Sequence, residues 1–129
     1  MSWEFAVVAR LLGDAEVFAL TGRNVEWDDR APNAPLPAIM LQTITDERPQ
    51  NHDGFDPFWS TRVQVNCLAR DKKTAIALRE AALAVLVPAG QQDGVTFLQS
   101  FVDGGGSDAE RQPTGRICRE RTDLIIWHN

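Results

Sequence analysis

The sequence has no tyrosine, two cysteines and two methionines, and no apolar run near the roughly 18 residues that a bilayer span requires. No signal-like segment precedes the first helical stretch, which reads as a product made in the cytoplasm. Cys67 and Cys118 fall in strand-like stretches, outside any CxxC or Cys/His cluster. Such thiols read as buried and reduced. Also absent are GxxxxGK[ST], GxSxG and HExxH patterns, and no helix follows Gly104-Gly105-Gly106, so a phosphate cradle is not expected there. The formal charge of −5 argues against gripping nucleic acid through a basic surface, while leaving room for DNA to slide past.

What is present is an ordinary globular composition, 43% apolar and 24% charged over 129 residues, enough for one domain spanning 1–129. Ser2 and Asp14 are placed to cap two short helices, the first through Trp3, Val7 and Leu11, the second through Val17 and Leu20 and stopped at Gly22. A short strand over 24–27 and a proline-rich connection over 28–37 follow. Residues 38–46 read as a strand apolar on both faces, so an inner strand or one covered by a neighbour. A polar loop is expected over 47–57. Residues 58–69 alternate with period two. Asp71 caps a helix over 72–87, ended by Pro88 and Gly90, with Ala75, Leu78, Ala82, Val85 and Leu86 facing the sheet. Ile76, Leu83 and Val87 form a second stripe, either a wide core face or a surface that another chain covers. Strands over 95–102 and 115–127 flank a glycine-rich stretch, 103–114, that composition marks as a mobile loop. The pattern predicts an α+β fold, a single antiparallel sheet with helices on one face and long hairpin loops.

Candidate chemistry is sparse. Asp46, Glu47, His52, Asp53 and Asp56 gather in or beside one polar loop, and a divalent-metal site there would need a rigid scaffold that such a loop lacks. Asp28-Asp29 beside Trp27 reads as a solvated turn rather than an acid/base pair. His128 is expected in solvent after the last strand. Trp3, Trp27, Trp59 and Trp127 are many for this length, and tryptophan favours cores and interface centres. Trp59, near Phe55 and Phe58, is the expected interface anchor.

The order of segments resembles the small phage tail completion, or tail terminator, proteins. The resemblance rests on LLGDAEVFALTGRNVEW near the start, then APLPAIMLQTIT, then STRVQVNCLARDKKTAIALREAALAVL as a strand running into a helix. It closes on RICRERTDLIIWHN, with Arg119, Asp123, Trp127 and His128 in the family's places. It spans essentially the whole chain. The glycine-rich stretch 103–114 and the charged Cys118-Arg119-Glu120 depart from the pattern.

The resemblance implies a structural subunit without catalytic residue, metal or cofactor. It implies a homo-oligomeric ring, typically a hexamer, at the head-proximal end of a virion tail. The ring would end tube polymerisation and contact the tail tube protein and the head–tail connector, while DNA passes without specific binding. For such a ring, Ile39, Leu41, Phe55, Phe58, Trp59, Ile76, Leu83 and Val87 are the expected subunit or partner contacts. Asp53, Asp56, Asp103 and Asp108 are expected to face the bore. Three alternatives stay open: a head-side neck or connector adaptor of the same particle, a small metal-dependent enzyme or ligand-binding domain using the 46–56 carboxylates, and a stand-alone protein-binding adaptor with no phage role.

Overall fold

Aspartate at the right place starts two of the helices. A computed structural model describes residues 2–30, 34–52, 54–55 and 57–129, without the side chains of Gln50, Asn51 and Phe55. In it the Asp71 carboxylate accepts from the Thr74 amide at 3.0 Å, opening α3 (Lys72–Leu86). Asp14 does the same for the Val17 amide, opening α2 (Ala15–Thr21). Each cap satisfies an amide that the first helical turn leaves without a partner. Ser2 makes no such side-chain bond to α1 (Trp3–Leu12), whose buried Trp3, Val7 and Leu11 hold it instead.

The strands are β1 (Val25–Trp27), β2 (Ala38–Glu47), β3 (Gln50–Asn51), β4 (Gly54–Phe55), β5 (Trp59–Ala69), β6 (Gly90–Gln92), β7 (Val95–Phe97), β8 (Phe101–Gln112) and β9 (Gly115–His128). Seven of them form one sheet in the order β1-β2-β5-β9-β7-β6, with β8 alongside β9, while β3 and β4 pair only with each other. The α+β class holds, but the sheet is mixed rather than purely antiparallel, because β1 runs parallel to β2. Within the loop expected at 47–57, β3 and β4 make a two-residue ladder.

Helices cover one face. Inward side chains alternate along β5 and β9, so that Val63, Val65, Leu124 and Ile126 meet Leu11, Leu78 and Leu86 in one apolar cluster. Helix α1 touches both β1 and β6, which stand at opposite ends of the strand order, so the sheet curls around it. Arg10 fastens that arrangement. Its guanidinium donates to the Val85 and Pro88 carbonyls at 2.8 and 2.9 Å, closing the C-terminal end of α3, and lies 4.8 Å from the Phe97 ring centroid. Both cysteines are buried and unpaired.

The glycine-rich stretch is a strand. Residues 101–112 pair with β9 from Ile125 to Gly115, with a bulge between Val102 and Gly105. The bulge explains the glycines: Gly104 has φ +104°, and a Cβ at Gly105 would sit 2.6 Å from the Arg121 carbonyl oxygen. Composition alone, without the facing strand, points to a loop.

Candidate functional site

Two regions carry the polar chemistry. The first lies inside the molecule. His128, expected in solvent, is fully buried at the end of β9. Its ring stacks on Trp3, meets Trp59 edge-on at 4.8 Å and leans on Phe97 at 6.4 Å. Its Nε2 is 2.9 Å from Thr61 Oγ1, and that hydroxyl donates to Asp46 Oδ1 at 3.0 Å. Its Nδ1 lies 3.3 Å from the Asn129 carbonyl oxygen, which can only accept, so the single hydrogen of the neutral ring serves either that carbonyl or Thr61. Burial holds the His128 pKa below its ordinary value. Carboxylate, hydroxyl and imidazole are the parts of a nucleophilic triad, but here the hydroxyl stands in the middle and gives its proton to the carboxylate. With Thr61 and His128 both buried, no substrate reaches them. The arrangement orients and packs.

The second region is the sheet face that no helix covers, together with the hairpin of β8 and β9. Arg62 donates to the Asp103 carboxylate, to the Asp103 carbonyl at 2.9 Å and to Asp123 at 3.0 Å, tying β5 to both hairpin strands. Its pKa rises, chiefly through the Asp103 bond and then the Asp123 bond. Arg119 pairs with Asp108. On the helix side, buried Glu120 takes Lys72, Arg79 and the Ser107 hydroxyl. The Ser107 bond is the main reason its carboxyl lies below the usual range. Every residue of β8 is exposed, including Phe101 and Val102 at 54% and 56%. A groove between α3 and β8 is lined by Leu83, Val102, Gly104, Gly105 and Gly106.

The expected contact residues divide. Ile39 and Leu41 are fully buried in the core of the single copy, and β1 occupies the β2 edge beside them, so they offer a neighbour nothing. Phe58, Ile76, Leu83 and Val87 are partly exposed. Trp59 is partly exposed too, but it packs on His128 and lies under the Arg48 guanidinium at 4.9 Å. The side chain of Phe55 lies outside the described residues, as do Asp53 and Asp56 entirely. Asp103 and Asp108 are compensated by Arg62 and Arg119, so these two bring no net negative charge to a bore. Asp46 faces Thr61 and Arg48. Asp28 and Asp29 are exposed, as expected. No group of three or more potential metal ligands occurs among the described residues. No helix among them is long and apolar enough to cross a membrane. Sequence reasoning missed β8 and the buried imidazole. The even-numbered alternation of β9, continuing through Ile126 to His128, was the available signal for the latter.

Comparison with known proteins adds two findings. The family described as tail completion protein gp17 matches residues 5–127. A chain of a solved structure titled "Virion of native gene transfer agent (GTA) particle" superposes with a TM-score of 0.66 at 18% identity. The match covers 97% of this chain and 92% of that one. At that identity the likeness speaks for the fold. No curated protein sequence matches.

Proposed function

This chain belongs to the tail completion protein gp17 family and is a structural protein of tail assembly; from that premise we propose that copies of it form a closed ring on the head-proximal end of the tail tube. The ring ends tube polymerisation and joins the tail to the neck or head, and DNA passes through it without specific binding.

The observation that carries this reading is β8, a twelve-residue outer strand with no buried residue. A long exposed edge is a template for pairing, and natural proteins blunt or cover such edges. Repeated copies supply the cover in a ring, each contact needing about 800 Å² per partner. The partly exposed Ile76, Leu83 and Val87 of α3 add apolar surface beside the β8 groove, and the loop after β2, with Phe55, Phe58 and Trp59 around it, is the docking segment for the tube or connector. Asp53 and Asp56 carry the bore-facing charge in this reading. A chain of similar fold in a gene transfer agent virion agrees with a place in a phage-type particle.

The test is electron microscopy of purified tail tubes with and without the chain. Density on one tube end and an arrest of further growth are expected. Tubes that keep growing with bare ends, or binding to emptied heads instead, would overturn the placement.

A further inference from the structure

Among the described residues, no strand pairs with the outer side of β1 or with that of β8. Glu26 of β1 is opposite Met40, Met40 opposite Asn66, Asn66 opposite Arg121, and Arg121 opposite Gly106 of β8. These five positions form one row across the sheet, with all side chains on the face away from the helices, since the neighbouring Ile39, Leu41, Val65 and Thr122 point inward to the core. The row starts at an outer strand and ends at one. Strand β1 runs with β2, against β5, with β9 and against β8, so β8 of one copy and β1 of the next would meet antiparallel.

The charges at the two ends of the row are complementary and single. Among the described residues, Arg62 and Arg119 on this face have carboxylate partners, whereas Arg121 has none. Its guanidinium lies over Gly106, where an added Cβ would stand 3.3 Å from Nη2, so it reaches across the glycine toward the free edge. Its Nε is buried without a hydrogen-bond partner. At the other end Glu26 is exposed and has no cation within ion-pair distance among the described residues.

Resting on the ring reading, we propose that β8 of one copy adds to β1 of the next, with Glu26 of the second copy across from Gly106 and paired to Arg121 of the first. Because both edges lie in one row, the contact repeats without a step along the strands. A heterologous contact without such a step closes into a ring where its repeated rotation closes, whereas a stepped one winds into a helix. The missing side chain at Gly106 lets the arginine cross to its partner, and a bidentate arginine–carboxylate pair fixes register as well as attraction.

Carbodiimide joins a touching carboxylate and amine. Applied to the Arg121→Lys chain, it is expected to couple Glu26 of one copy to the introduced amine of another, giving a cross-linked peptide and a ladder of oligomers. Glu26→Arg and Arg121→Glu should each weaken self-association on tube ends roughly tenfold. The double exchange should return it to near the original level. Circular dichroism melting confirms that the exposed-site variant Glu26→Arg is folded. An absent cross-link, or a double exchange no better than either single one, overturns the contact. Tube capping by the unaltered chain is scored in parallel. Capping without cross-link or rescue refutes this contact and leaves the tail cap standing; cross-link without capping does the reverse, and absence of both refutes both.

Discussion

His128 lies flat on Trp3, with ring centroids 4.2 Å apart and planes 19° from parallel, where the last strand meets the first helix. This contact has a pH sign. Burial depresses the imidazole pKa, so the folded state favours the neutral ring. The associated stability is fully present above the ordinary imidazole value of about 6.5 and is lost as pH falls from there toward the folded value. The melting temperature should therefore drop as pH falls below about 6.5, and His128→Phe should flatten that part of the profile. An unchanged slope in the variant would place the titration elsewhere.

Glu120 should show the opposite ionisation at lower pH. Its depressed carboxyl stabilises the fold above the usual glutamate range, and the contribution disappears as pH falls through the folded value. Glu120→Gln leaves the Arg79 and Lys72 contacts without their charge and should cost about 1–3 kcal/mol in urea unfolding. The lower part of that range is expected, since Lys72 is 58% exposed.

Two adjacent glycines should respond unequally. A methyl group at Gly105 meets a backbone oxygen that cannot move aside, and Gly105→Ala should cost about 1–3 kcal/mol. At Gly106 the nearest atom is the far end of the flexible Arg121 side chain, so Gly106→Ala should be milder in the same denaturant titration. Equal losses would mean that the bulge is not what requires glycine.

Arg10→Met keeps an aliphatic stem over Phe97 and removes both carbonyl bonds at the end of α3. A loss of about 1.5–3 kcal/mol is expected, together with faster amide exchange in the last turn of α3. Unaltered exchange there would show that Pro88 ends the helix without help.

Where a local rule decides, the sequence was a sufficient guide. The Asp71 cap and the Pro88 stop bound α3, and strict alternation revealed β5. Where a facing segment decides, it was not. The glycines of β8 mean a strand only because β9 lies opposite, and the parallel pairing of β1 with β2 leaves no local trace. Two apolar faces on β2 suggested an inner strand or one covered by a neighbour; β2 lies between β1 and β5, and Ile39 and Leu41 fill the chain's own core. Asp103 and Asp108 looked like free negative charge because nothing near them in sequence announces Arg62 and Arg119.

Helix α1 bridges β1 and β6, yet it is synthesised before either of them. On the way it meets α2 and α3, but Trp3 gains its stacking partner only when β9, which carries His128, is in place. The first helix is thus finished by the last strand.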